Sequence, residues 1–309
     1  MTPSEQDVPL DVAALVINWN TRDLLAECLE SLAADSDGLR VQMVVVDNAS
    51  GDGSAAMVRE RFPRALLLAN ADNAGFVRGN NQAYAACDPR ARYVLLLNSD
   101  AALHPGALRT LVGWMDAHPA VGACGPLTLN PDGTLQPTWS RFPTFWAEMR
   151  GAHDRRFLGT RRAPPRVASA VRALPAAQAT DWVGGSCLLA RRSAIDGDLG
   201  GTLLDPAFLM YSEETDLCFR LKRAGWAVYL VPQAEAVHHG GQSSRQMPLA
   251  ALALLYRSKI LLFRRHYGPA RALQLQMGLA LLAGLKWLSP GPGERRRRQR
   301  AVLDALWGG

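Results

Sequence analysis

The sequence predicts an α/β fold, a mainly parallel sheet covered by helices on both faces. Three observations predict it. Runs of branched apolar residues recur at 12–17, 41–46, 65–68, 93–97 and 121–125, and uninterrupted runs of this length read as strands buried on both faces. Segments with apolar residues at helical spacing lie between them, which is the alternation of a parallel sheet. Several runs stop abruptly on polar residues: Asn18-Trp19-Asn20, Asp47-Asn48 and Asn98-Ser99-Asp100. The carboxyl ends of strands are where open α/β sheets bind ligands.

The elements follow in order. Thr21 can cap a helix whose Leu24, Leu25, Cys28, Leu29 and Leu32 recur at helical spacing. A second helix over 77–86 opens after the loop Asn73-Ala74-Gly75-Phe76. Pro105 suits the first turn of a helix running to Ala117. Residues 126–180 break the rhythm. Asn130-Pro131-Asp132-Gly133 reads as a turn, and residues 139–180 hold eight Arg against two acids. A mobile basic loop near the site is expected there. Regular structure resumes at Asp181, with a helix over 214–224 closed by Gly225 and a strand over 228–231. Apolar helical patterns fill 249–263 and 270–288. The low-complexity run Ser289-Pro-Gly-Pro-Gly-Glu-Arg-Arg-Arg-Arg-Gln-Arg300 reads as disordered. The expected division is one α/β domain over 10–245, in which a variable loop at 126–180 separates a part covering 10–125 from a part covering 181–245, then C-terminal helices over 246–288 and a disordered basic tail over 289–309.

Bulk properties narrow the class. The chain has 309 residues, 48% of them hydrophobic and 20% charged, which fits a folded protein and excludes a disordered one. Its five cysteines are scattered, with no metal-type spacing, and read as free buried thiols in a reducing compartment. The N-terminus lacks the pattern of a signal peptide. The longest uncharged apolar stretch, between Arg271 and Lys286, has 14 residues, short of the ~20 a membrane span needs. The net charge of +6 is uneven. Residues 245–309 hold 12 Lys or Arg against two acids, a balance of +10 that leaves −4 for the rest. Basic residues flanking apolar helices favour an anionic membrane surface over nucleic acid. A C-terminal helix packed on the core, with a solvated Arg run, is the alternative.

Several polar clusters carry chemistry. Asn98 and Asp100 end a buried strand and offer the oxygen ligands that a hard cation with phosphate prefers, although Asn and Asp also end strands as plain turn residues. Gly75 and Gly79 suit a close approach of backbone to ligand, and Arg78 suits a phosphate. Glu213, Glu214 and Asp216 open a helix, where acids are also favoured by the helix dipole. Crowded carboxylates raise one another's pKa and tune a base toward neutrality. His238 follows a late strand, and the flat ring of Trp182 suits either core packing or a stacked ligand.

In order and spacing these motifs resemble glycosyltransferase family 2, especially its rhamnosyltransferase-like branch, over about residues 10–245. The resemblance implies the GT-A nucleotide-sugar fold and an inverting, metal-dependent transfer of one sugar from a dTDP- or UDP-linked donor, such as dTDP-rhamnose, to an acceptor hydroxyl. The acceptor is a lipid-linked saccharide, a cell-wall glycan or a small molecule. The resemblance also implies site roles. Asn18, Trp19, Asn20, Asp47, Asn73, Gly75, Arg78, Asn80, Asn98, Ser99 and Asp100 bind the nucleotide sugar. Asp100 and His238 hold Mg²⁺ or Mn²⁺, with Asn98 where the family usually has Asp. Trp182, Gly184 and Gly185 face the donor sugar and acceptor. Glu213-Glu214-Thr215-Asp216 matches the family's Glu-Asp-x-Asp motif, whose second acid, here Glu214, is the base. Processive synthases of the family carry Gln-x-x-Arg-Trp, whereas Gln242-Ser243-Ser244-Arg245-Gln246 lacks the Trp, which implies single addition.

Two rivals are a sugar nucleotidyltransferase and a degenerate adaptor that binds membrane or nucleic acid. The first calls for a Gly-rich loop after the first strand, and Asn18-Trp19-Asn20-Thr21 has no Gly. Joint retention of Asp47, Asp100, Glu214 and His238 argues against the second. A cytoplasmic location, peripheral at the inner face of the membrane, is expected. The oligomeric state stays open.

Overall fold

The computed structural model describes residues 10–151, 162–163, 165–289 and 293–307. The elements run β1 (Val12–Asn18), α1 (Arg22–Ala34), β2 (Val41–Asp47), α2 (Ser54–Arg61), β3 (Leu66–Ala69), α3 (Phe76–Ala86), β4 (Tyr93–Asn98), β5 (Ala101–Leu103), α4 (Ala107–Ala117) and β6 (Val121–Leu129). They continue with β7 (Trp139–Ser140), α5 (Phe145–Gly151), α6 (Pro165–Arg172), β8 (Gln178–Thr180), β9 (Trp182–Val183), β10 (Cys187–Arg191), α7 (Glu213–Arg223) and β11 (Ala227–His238). Helices α8 (Gln242–Arg245), α9 (Pro248–Tyr267), α10 (Pro269–Leu288) and α11 (Gly293–Trp307) complete the described chain.

The central sheet has the order β3-β2-β1-β4-β10-β6-β11-β5, with β8 beside β11. Its first four strands are parallel, as is the pair β6–β11. Strand β10 inserts antiparallel between β4 and β6, a feature that apolar runs alone do not encode.

Alternation explains the burial of β1 and β4 on both faces. Val12, Ala14, Val16, Leu95 and Leu97 pack with Leu25, Leu29 and Leu111 of α1 and α4. Ala13, Leu15, Ile17, Val94 and Leu96 pack with Val77, Leu217 and Leu221 of α3 and α7. Each fully buried leucine contributes about 1.5–3 kcal/mol relative to exposure. Helix α3 lies close on β1: a Cβ on Gly79 would sit 3.0 Å from Ile17 Cγ2. All five cysteines are free and buried.

Two features aim β11 at the site. Its pairing with β6 is interrupted by a register shift between Val231 and Glu235, a stretch containing Pro232, and bulges are where a strand tolerates proline. Beyond the shift β11 also pairs antiparallel with β5, which sets His238 opposite Ala101 and therefore beside Asp100.

The described parts of residues 126–180 are more ordered than expected. Strand β6 extends to Leu129, the Asn130 turn closes by a 2.8 Å bond from the Gly133 N–H to the Asn130 carbonyl, and β7, α5, α6 and β8 follow. The rest of that segment, 152–161 and 164, lies outside the described residues. The expectation of a disordered tail over 289–309 is also corrected. Helix α11 packs on α9 and α10 through Val302, Ala305 and Leu306, whose spacing gives one apolar face; residues 290–292, 308 and 309 lie outside the described set. Among the described residues no helix is long and apolar enough to cross a membrane.

Candidate active site

The ends of β1, β4 and β11 meet the N-terminus of α7 around a cavity of about 350 Å³. Asn98, Asp100 and His238 form one wall, and Glu213, Glu214 and Gly185 form another.

The His238 ring is fixed by its neighbours. Gln136 Nε2 donates to the His238 carbonyl at 3.2 Å and to Asn130 Oδ1 at 2.9 Å. A backbone carbonyl can only accept, so the Gln136 amide orientation is determined. Its Oε1 then faces His238 Nδ1 at 2.7 Å, and Nδ1 carries the proton. Nε2 points at Asp100 Oδ1, 3.1 Å away, and at Asn98 Nδ2, 3.3 Å away. A neutral ring would direct a lone pair at the carboxylate. The contact is attractive only with a positive charge between them, either a second ring proton or a bound cation.

Asp100 is almost wholly buried. Burial opposes its ionisation, but His238 and the Gln242 N–H, 3.2 Å from Oδ2, more than offset that and hold the carboxyl below its ordinary value. The turn Gly240-Gly241, with φ of 74° and 63°, delivers that N–H. Asn98 Oδ1 is buried without a hydrogen-bond partner. The Asp100 carboxylate, the His238 imidazole and this orphaned oxygen are the groups that could hold a divalent cation, and their chemistry suits Mg²⁺ or Mn²⁺. Among the described residues no three His, Cys, Asp or Glu converge on one point. The set therefore fits an open site whose remaining ligands come from a substrate.

The opposite wall is acidic. Glu213 is buried and its Oε2 has no partner. Burial, then Glu214, then Asp216 push its carboxyl well above the ordinary range. Glu214 is half-buried, and burial raises its pKa despite the Thr215 hydroxyl donating to Oε1 at 3.2 Å. Tyr211 and Ser212, just before the helix, have φ of 72° and 65°. Two consecutive non-glycine residues in the left-handed region mark strain of the kind stored at functional sites. Gly185 packs against Glu214: a Cβ there would touch Glu214 Cβ at 3.4 Å.

The other residues singled out in sequence divide. Gly184 and Ser99 line the cavity, and Ser99 also contacts the Thr21 hydroxyl at 2.9 Å. Asn18 and Asp47 are buried beside it: Asn18 Nδ2 donates to Asp47 Oδ1 at 2.8 Å, and the Ser50 N–H donates to Oδ2 at 3.0 Å. The Trp19 carbonyl accepts from Ser243, and Asn20 pairs with Gln246, tying this rim to α8. Asn73 caps the Gly75 N–H at 2.9 Å, and Arg78 is exposed. Asn80 turns inward to the Phe76 carbonyl. Trp182 donates to the Arg141 carbonyl and faces a neighbouring cavity. Asp216 is not brought to the cleft. It is buried between Arg220, at 2.7 Å, and His266, at 2.8 Å, which hold its carboxyl low although burial opposes them. Gln136 and Gln242 were not legible as site residues, because Gln136 lies in the aperiodic segment and Gln242 acts through its backbone.

Fold and site together define a transferase built on the GT-A scaffold, and comparison with known proteins identifies the family. The Glycosyl transferase family 2 model matches residues 14–171, and the Glycosyl transferase family group 2 model matches 93–289. The chain is 34% identical over 278 residues to the N-acetylglucosaminyl-diphospho-decaprenol L-rhamnosyltransferase of Mycobacterium tuberculosis, covering 85% of this chain and 88% of that protein. It is 37% identical to rhamnosyltransferase WbbL of Escherichia coli over 65 residues, 21% of this chain and 24% of that one. In fold it is similar to GalNAc-T7, solved with UDP, GalNAc and Mn²⁺, with a TM-score of 0.56, 13% identity, and coverage of 82% of this chain but only 48% of that one. It is also similar to Staphylococcus aureus TarS residues 1–349, with a TM-score of 0.53, 14% identity, and coverage of 96% and 80%. The chain belongs to glycosyltransferase family 2 and is a glycosyltransferase of its rhamnosyltransferase-like kind.

Proposed function

We propose that this enzyme is an inverting, metal-dependent transferase that moves one sugar, rhamnose above all, from a dTDP- or UDP-linked donor to a lipid-linked saccharide. The observation that carries the reading is the pairing of His238 with Asp100 across one cleft from Glu214. The name of the M. tuberculosis relative supports the sugar and the acceptor class.

Asp100 and His238 would hold the cation, which would neutralise the leaving diphosphate when bound. Gln136 holds the His238 ring so that Nε2 faces that position. Asp47 would accept from the base of the nucleotide, while Asn18, Trp19 and Asn20 shape the rim, and Arg78 would meet phosphate. Glu214, its pKa raised by burial, takes the proton of the acceptor hydroxyl as that oxygen attacks the anomeric carbon. Glu213 beside it is pushed toward its protonated form by burial and by Glu214, which limits the negative charge at the helix start. The displacement is single, so no covalent sugar–enzyme bond forms.

An anionic membrane surface is the second partner. Leu273, Met277, Leu281, Leu285 and Leu288 are exposed along α10, with Leu281 at 64% and Leu288 at 70%. Their spacing makes one continuous stripe, and the arginines that open α11 stand just beyond its end. Such a face suits shallow burial in lipid with the basic groups at the headgroups. The test of the function is incubation with a panel of nucleotide sugars, Mn²⁺ and a prenyl-diphosphate N-acetylglucosamine acceptor. Consumption of a dTDP- or UDP-sugar dependent on both acceptor and metal is expected. Absence of transfer from every donor would refute it.

A further inference from the structure

A second cavity of about 550 Å³ lies behind the first, between α5, the start of α7 and the middle of α9. Tyr211 and Glu214 line both cavities. The acid read as the base therefore stands at the junction, with the metal-binding wall on one side and a separate chamber on the other. Glu214 is also the place where an acceptor hydroxyl must arrive. We infer that the second cavity holds the head of the acceptor, a phosphate-bearing saccharide on an apolar tail, and that Arg141 pairs with its phosphate. The inference rests on the transfer reaction proposed above and specifies where the acceptor sits.

The lining divides as such a molecule would need. Phe142, Leu255, Leu262 and Phe263 supply apolar walls, and Trp182 presents a flat ring near Glu214, suited to the C–H face of a sugar. The charged groups that line the chamber are Arg141 and Lys259 with Glu148 and Glu214, and the pair Lys222 and Asp181 lies in the cavity next to it, which Arg141 also lines. Lys259 pairs with Glu148, and Lys222 pairs with Asp181 at 2.5 Å. Arg141 forms no ion pair among the described residues, with Asp181 acting on it only at longer range, and it stands on an exposed loop before α5. A guanidinium at a cavity mouth is a strong phosphate anchor, because its planar fork donates two hydrogen bonds at once.

The wall leads outward to the apolar face. Helix α5 packs on α10, where a Cβ on Gly278 would meet Met149 Sδ at 2.8 Å. Trp146 of α5 is 70% exposed on the outside, and Ala147 of the same helix lines the chamber. One short helix thus separates the chamber from the α10 stripe, so a lipid tail can stay at the surface while its saccharide reaches Glu214.

The test uses the full chain with two acceptors bearing the same sugar, a short-chain prenyl-diphosphate N-acetylglucosamine and a neutral octyl N-acetylglucosaminide. Arg141→Ala should raise KM for the diphosphate acceptor by about 10- to 100-fold, the loss of a charge-assisted contact. It should leave KM for the neutral acceptor and the Kd of dTDP with Mn²⁺ unchanged. Arg141→Lys should recover part of the loss. Ala147→Trp, which fills the chamber from an exposed helix, should block both acceptors while dTDP still binds. Equal effects of Arg141→Ala on both acceptors, no effect on either, or undiminished transfer by Ala147→Trp would overturn the inference. Failure of the wild-type enzyme to transfer from any nucleotide sugar would instead refute the parent reading.

Discussion

His238 Nε2 lies 3.1 Å from Asp100 Oδ1, although the two residues are 138 positions apart in sequence. The contact exists because β11 shifts register near Pro232 and then pairs with β5. Its orientation is set from behind by Gln136, which fixes the ring proton on Nδ1.

Gln136 would therefore position His238 for the proposed cation. Gln136→Leu should weaken Mn²⁺ activation about 10- to 100-fold, as loss of an outer partner of a metal ligand typically does. Gln136→Glu, which keeps the acceptor for Nδ1–H, should retain more. A Mn²⁺ titration of transfer rate at saturating donor checks this. Identical half-saturation in all three proteins would remove Gln136 from the metal-binding wall.

The acid limb of the pH–rate profile should report Glu214. A base works only when unprotonated, and burial raises this carboxyl above its ordinary value. kcat should fall on acidification through an apparent pKa higher than that of an exposed glutamate. Because Glu213 neighbours it, the limb belongs to the pair. A profile flat down to the ordinary carboxylate range would contradict the assignment.

Glu213 should make stability depend on pH. Its pKa is raised in the folded state by burial and by its acidic neighbours. A raised carboxyl pKa contributes stability that is full below the unfolded pKa and is lost as pH rises through the folded pKa. Glu213→Gln cannot ionise. The melting temperature of the wild type should thus fall relative to the variant as pH rises above the ordinary carboxylate range. Parallel curves would show that Glu213 ionises without cost.

The α10 stripe should govern membrane binding. Leu281→Glu with Leu285→Glu places two charges on exposed positions where folding does not require leucine. Sedimentation with vesicles containing anionic lipid should be strong for the wild type, weak for the variant and reduced by salt. A fall in self-association of the variant, without any change in vesicle binding, would assign the stripe to a second copy of the chain instead.

Much of this was legible in sequence, for physical reasons. Asn98, Asp100 and Glu214 are local: buried apolar runs stop on them, or a helix starts there. Asp216 was grouped with Glu213 and Glu214 because the three acids open one helix and match the family's Glu-Asp-x-Asp motif. Residues two apart on a helix face nearly opposite ways, so Asp216 points to Arg220 and His266 rather than to the cleft. Asn80 was misleading for a related reason, since its amide bonds back into its own helix. The tail looked disordered because its Arg run hid the apolar face of Val302, Ala305 and Leu306. Gln136 carried no local signal, because its meaning comes from a strand that arrives about a hundred residues later.

The central claim is a division of labour across one cleft, with Asp100 serving the donor and Glu214 the acceptor. Calorimetric titration of the nucleotide sugar with Mn²⁺ into wild type, Asp100→Ala and Glu214→Gln, beside their turnover, tests it directly. Asp100→Ala should lose Mn²⁺-dependent donor binding. Glu214→Gln should bind donor as the wild type does while turnover drops by about 10²- to 10⁴-fold. Unchanged metal-dependent binding in Asp100→Ala, or near-normal turnover in Glu214→Gln, would contradict the account.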